Sequence, residues 1–209
     1  MEIRSTDALL LIDLQPDFMP GGALAVTGGD EIVPLVNRLA RRFEHVILTQ
    51  DWHPAGHISF ASTHPGKQPY ETTSVPYGTQ VLWPEHCVQG SSGAAIHPGV
   101  DIPHVELILR KGFRSSIDSY SAFLENDRHT PTGLAGYLRD RGLTRIFVAG
   151  LAYDFCVRFS AIDGAALGFE MLVIEDATRA VALGASVAET HTALTAARVR
   201  EIASSDVLD

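Results

Sequence analysis

Four side chains able to take part in nucleophilic chemistry lie at the carboxyl ends of four separate apolar segments. Asp13 closes the segment ALLLIDL (8–14), Asp51 follows HVILTQ (45–50), Lys111 follows ELILR (106–110), and Cys156 lies in the turn after RIFVAG (145–150). A carboxylate, an ammonium and a thiol brought to one face can cleave an amide: a base for the proton, a cation for charge balance, a sulfur to attack. Each residue also has a plainer reading. A buried cysteine is commonly a small apolar filler, Asp13 could be a turn-forming side chain, and Lys111 could be a solvated strand-end lysine. Two features favour chemistry. Cys156, in GLAYDFCVRFSA, falls just past a strand and at a helix start, where amides and a nearby cation favour the thiolate. An unpaired carboxylate after a strand as apolar as that before Asp13 would be expensive, so a partner is expected. Asp17, in a proline-containing loop, needs no such reason, and Cys87 reads as structural.

A second pattern points to a metal. Asp51 and His53 are two positions apart, which in an extended segment puts both side chains on one side. His57, His64 and His86 follow in the same long loop and offer further nitrogen ligands. Oxygen and imidazole donors with open positions suit Zn²⁺, Fe²⁺ or Mn²⁺ at a catalytic site. His57 and His64 read equally well as surface histidines. Gly112, beside Lys111, permits a tight turn or a close approach of backbone.

These residues need a scaffold that delivers strand ends to one place. The apolar segments above, with EMLVI (170–174) and an edge-like 200–204, alternate with helical patterns at 31–42, 155–167 and 186–198. Strands without polar alternation are buried on both faces, which predicts a parallel sheet covered by helices and a doubly wound α/β fold. In such folds ligands bind outside the carboxyl ends of the strands. Residues 51–99, rich in Pro, Gly, His and Ser, break the rhythm, and so long a loop inside a compact domain is usually functional.

The chain's 209 residues suit one domain, spanning 1–209, with a core large enough to need no staples. A formal charge of −9 without a basic cluster argues against nucleic acid as a partner. The early apolar run 8–12 is broken by Asp13, too short for a membrane span or signal core, so the expected location is the cytoplasm, with no membrane partner. Two cysteines make no disulfide framework, and the absence of a C-x-x-C weakens a thiol-redox reading.

DLQPDF (13–18), DWHP (51–54), WPEHCVQG (83–90), KGF (111–113) and GLAYDFCV (150–157) together closely resemble the nicotinamidases, among the isochorismatase-like hydrolases. The resemblance runs from the first strand to beyond the cysteine helix. DWHP with WPEHC is its discriminating part, because an Asp, a Lys and a Cys alone would indicate only the wider superfamily. It implies a three-layer α/β/α fold with about six mostly parallel strands. It implies Cys156 as nucleophile, Asp13 as general base and Lys111 as charge balance. The amides of Ala152 and Cys156 would form an oxyanion hole beside a cis peptide preceding Ala152. Asp51, His53 and His86 would hold one divalent ion (Zn²⁺, Fe²⁺ or Mn²⁺), and Phe18, Trp83, Leu151 and Phe155 would line a pyridine pocket. The implied reaction is hydrolysis of nicotinamide in NAD salvage, with pyrazinamide as a side substrate. Relatives occur as monomers and larger assemblies, so the resemblance leaves a homo-oligomer open. Tyr153 stands where many relatives carry Thr. The rival readings are another small-amide hydrolase of the same superfamily and, from a different class, a non-catalytic metal-binding module.

Overall fold

A computed structural model describes residues 1–209. Its centre is a six-stranded sheet formed by β1 (Asp7–Ile12), β2 (His45–Asp51), β5 (Val105–Lys111), β6 (Arg145–Leu151), β7 (Glu170–Arg179) and β8 (Arg200–Ile202), in the order β5-β2-β1-β6-β7-β8. Every pairing in it is parallel. Side chains alternate along a strand, so β1 feeds two cores. Leu9 and Leu11 join a cluster with Val33, Val36 and Leu39 of α1 (Val33–Ala40) and Val207 of α5 (Ser205–Leu208). Ala8, Leu10 and Ile12 face the opposite layer. There they meet α2 (Leu134–Asp140), α3 (Arg158–Ala166) and α4 (Ser186–Ala196) through Leu134, Leu138, Ala161 and Leu194. The expected three layers and six strands are present. No helix is long and apolar enough to cross a membrane.

The strand order fixes where a ligand can go. From β1 the chain winds outward to β2 and β5, then returns to the other side of β1 with β6, so the strand order reverses between β1 and β6. The crevice at such a switch point is the usual ligand site. Ile12 pairs with Gly150 and Asp51 with Lys111, so the ends of β5, β2, β1 and β6 come level as four neighbours.

Several boundaries differ from expectation. β1 stops at Ile12 because Asp13 turns to φ 48°, a left-handed conformation that a strand does not contain. The helix expected over 155–167 begins instead as a five-residue π turn, Tyr153–Val157, and becomes α-helical only at Arg158. β5 is not buried on both faces: it is an edge strand, and Glu106, Ile108 and Arg110 are exposed. The long loop carries an antiparallel hairpin, β3 (Thr72–Val75) with β4 (Gly78–Val81), which its weak apolar pattern does not announce. α2 and α5 also lie where no helix was expected, both too short to show a periodic face.

Candidate active site

At the switch point Lys111 is the hub. Its Nζ lies 2.8 Å from Asp13 Oδ2, 3.0 Å from Asp51 Oδ1 and 3.4 Å from Cys156 Sγ, and it donates to the Ser119 carbonyl at 3.0 Å. Asp13 and Lys111 are 0% and 1% exposed, a depth at which charges persist only when paired. Burial opposes the lysine's charge, but Asp13, Asp51 and Cys156 more than offset it and raise its pKa well above the ordinary value. The ammonium therefore stays charged.

Asp13 is aimed by the neighbouring strand. Thr49 of β2 donates to Asp13 Oδ1 at 2.6 Å and accepts the Asp13 amide at 3.1 Å. Oδ2 has no well-directed hydrogen bond beyond its ion pair, so a lone pair remains for an incoming proton. Burial pushes the Asp13 carboxyl up, against the pull of Lys111. The thiol of Cys156 is pushed well up by burial, with Asp13 and Asp51 adding to it and Lys111 opposing. Burial and the two carboxylates thus work against the thiolate that a helix start and the Lys111 cation favour. The thiol proton needs a base at the moment of attack, and the Asp13 carboxylate faces it.

Removing the hub has a predictable cost. Lys111→Met keeps the length but leaves two buried carboxylates facing each other, so unfolding should become easier by about 3–5 kcal/mol. Denaturant melts of variant and wild type at neutral pH test this; equal midpoints would mean the ion pairs contribute nothing.

The metal candidates gather on the same carboxylate. His53 Nε2 lies 3.0 Å and His86 Nε2 3.4 Å from Asp51 Oδ2. Each ring gives its other nitrogen to a carbonyl: His53 Nδ1 to Gly112 O at 2.9 Å, His86 Nδ1 to Pro84 O at 2.8 Å. A carbonyl can only accept, so both Nδ1 atoms carry hydrogen, and in the neutral rings Nε2 presents a lone pair. Two lone pairs then converge on a carboxylate oxygen, an arrangement that attracts a cation; imidazoles tied from behind by carbonyls are the usual metal-ligating form. One ligand atom from each of the three residues lies within 4.8 Å of the others. The donor set fits a divalent ion. Gly112 makes the geometry possible, since at φ 66° a Cβ there would come within 2.5 Å of His53 Cε1. Gln15 latches the scaffold: its amide donates to Asp51 O at 2.8 Å and accepts the Asp51 amide at 2.7 Å.

His57 stacks 4.3 Å from the His53 ring but is already satisfied, donating from Nε2 to Arg114 O and accepting from Ser59 at Nδ1. His64 donates to Ile58 O and takes no part. Asp17 is a clasp, accepting the Cys87 amide at 2.6 Å, and Cys87 is a buried structural residue.

Above these groups opens a cleft lined by Asp51, His53, His86 and Cys156 on its polar side. Phe18, Trp83 and Phe155 line its apolar side as expected, and Ala152 reaches it too. Leu151 does not: its side chain is fully buried in the core against Gly29, because strand alternation turns it away. The peptide bond between Leu151 and Ala152 is cis. Sequence reading missed Tyr120, which completes an aromatic box 5.6 Å from Phe155 and 6.1 Å from Trp83, and whose hydroxyl accepts from Trp83 Nε1 and Gln80. It also missed Leu24, Asp118 and Val181 in the lining. Tyr153 points the other way, its hydroxyl bonded to His191 and Glu201.

Comparison with known proteins agrees with this geometry. The isochorismatase domain family matches residues 7–205. The nicotinamidase of Acinetobacter baylyi is 51% identical over 100% of this chain and 97% of its own length. A solved nicotinamidase and pyrazinamidase of Acinetobacter baumanii superposes with a TM-score of 0.97 at 51% identity, covering 98% of this chain and 99% of that one. The pyrazinamidase of Pyrococcus horikoshii, solved in complex with zinc, gives a TM-score of 0.78 at 31% identity over 95% and 99%. The family match over 7–205 and the end-to-end similarity show that the chain belongs to the isochorismatase family.

Proposed function

We propose that the chain is an amidohydrolase that converts nicotinamide to nicotinate and ammonia, with pyrazinamide as a further substrate. The observation that carries this is the contact of Lys111 with Asp13 and Cys156 beneath an aromatic cleft, beside a nitrogen- and oxygen-donor cluster. The 51% identity to a nicotinamidase over the full chain supports the choice of amide.

In this reading Cys156 attacks the carboxamide carbon as Asp13 takes the thiol proton, and Lys111 balances the charge that moves between them. The amides of Ala152 and Cys156 receive the tetrahedral oxyanion; one such donor is typically worth about 10²–10³ in rate. Asp13 then gives that proton to the amide nitrogen as the C–N bond breaks, and ammonia leaves. Water hydrolyses the thioester with Asp13 again as base, returning the thiol. Phe18, Trp83, Tyr120 and Phe155 wall the cleft for a flat ring, which holds the carbonyl near the sulfur. Asp51, His53 and His86 would hold one divalent ion, for which Zn²⁺, Fe²⁺ and Mn²⁺ suit the donors and the Pyrococcus complex supports zinc. When bound, that ion supplies a Lewis acid able to anchor a ring nitrogen.

A coupled ammonia assay with nicotinamide, run with and without chelator, tests the reading. Turnover that falls with chelation and returns with added zinc is the expected result. A folded, metal-loaded protein that leaves nicotinamide untouched would refute it, and turnover of other small amides alone would favour the broader superfamily activity.

A further inference from the structure

The cysteine turn carries a second deeply buried carboxylate that the chemistry above does not use. Asp154 is 1% exposed. Its Oδ1 accepts the Val181 amide at 2.9 Å, and its Oδ2 accepts the Ala182 amide at 2.9 Å together with the Ser186 hydroxyl. It therefore grips the segment after β7 at two points and the start of α4 at a third. Val181 lines the cleft with Phe18, Leu24 and Phe155, and packs against the core on that face. Ala182 sits at φ 59°, which a residue with a side chain adopts only when its surroundings hold it there. The Asp154 carboxylate is that hold. Ala182, Gly184 and Ala185 are exposed and Leu183 is half-buried, so apolar packing places the segment only in part.

We propose that Asp154 is a positioning residue and Val181 a specificity-determining one: the grip of Asp154 on 181–182 sets Val181 as the wall that limits substituents on the bound ring. This rests on reading the cleft as a nicotinamide site. A carboxylate can accept from all three donors at once. An amide at 154 keeps one accepting oxygen and turns an N–H₂ toward a donor, so attraction becomes repulsion on one side and the wall loosens. Shortening Val181 removes the wall while leaving the grip intact.

The test is steady-state kinetics on nicotinamide and on its 4-, 5- and 6-methyl derivatives, with thermal melts as a folding check. Val181→Ala should raise kcat/KM for at least one methylated amide, relative to nicotinamide, by about tenfold, the scale on which one methyl is discriminated. Asp154→Asn should move the same ratio in the same direction, raising KM for nicotinamide more than it lowers kcat. Combined with Val181→Ala it should add little, because both act on one wall. Ser186→Ala, which removes one donor of three, should shift the ratio less, and it carries the test of the grip if Asp154→Asn fails to fold. An unchanged ratio for every methylated amide in Val181→Ala would overturn the specificity role. Asp154→Asn with lower kcat but unchanged KM and ratio would overturn the positioning role, as would an unmoved ratio in Ser186→Ala where that variant stands in. Wild-type protein inert toward nicotinamide would defeat the underlying reading instead.

Discussion

Cys156→Ala is expected to lower nicotinamide turnover by at least about 10⁴-fold while the protein stays folded, since no other group at the site can take the nucleophile's place. Only one cysteine touches Lys111 and lines the cleft; Cys87 is sealed in the core with its amide held by Asp17. The substitution also removes little that holds the fold. Cys156 is 7% exposed at the base of an open cleft, and alanine leaves the ion pairs of Lys111 with Asp13 and Asp51 in place. Activity and stability should separate: kcat collapses, the melting midpoint moves little, and nicotinamide still binds. Single-turnover ammonia release measured beside a denaturant melt decides the matter. Residual turnover within about tenfold of wild type would show that attack comes from water or another side chain, because loss of a covalent nucleophile is worth several powers of ten.

The contrast with Lys111→Met is informative, because the trio divides into parts with different debts to the fold. Lys111 offsets two buried carboxylates, so its loss is felt by the whole molecule. Removing Cys156 leaves those ion pairs in place, and its loss is felt by the reaction alone. Asp13 stands between them, held by Thr49 and needed in its charged form to accept the thiol proton. Because burial raises its pKa, turnover should fall on the acid side at a higher pH than an exposed aspartate would give.

Residue types at strand ends make much of this site legible in the sequence. Asp13, Asp51, Lys111 and Cys156 stand out because charged or reactive groups are unusual after such apolar segments, and a parallel sheet delivers strand ends to one edge. Register does the rest: Asp51 opposite Lys111 and Ile12 opposite Gly150 is a property of pairing across the sheet, which no single segment contains. Tyr120 is not readable in this way because its segment, 113–126, has no periodicity, and its role comes from packing against Trp83 and Phe155. Leu151 misleads for the opposite reason. Nearness in sequence to Ala152 suggests the cleft, while alternation along β6 sends its side chain into the core. The electrostatics of Cys156 are also beyond sequence: helix position favours a thiolate, while depth and the neighbouring carboxylates push the thiol up.

Asp51→Ala and His86→Ala should each strip the bound ion and lower kcat/KM for nicotinamide by about 10³-fold, the scale of several kcal/mol of lost electrostatic anchoring. The two variants reach that result by different routes. Asp51 also accepts from Lys111, and Gln15 bonds its backbone, so Asp51→Ala disturbs the nucleophile's charge balance as well. His86 has no contact with Lys111; its ties are to Asp51 and to the Pro84 carbonyl. His86→Ala is therefore the cleaner probe, and its defect should lie mostly in KM if the ion chiefly holds the ring. Metal content by elemental analysis, nicotinamide binding by calorimetry and the kinetic split settle the three claims separately. A His86→Ala protein that keeps a full equivalent of metal would remove His86 from the ligand set. One that loses the metal yet keeps wild-type kcat/KM would show that the aromatic box orients the ring unaided, leaving Asp51, His53 and His86 as a structural tie between β2 and the long loop.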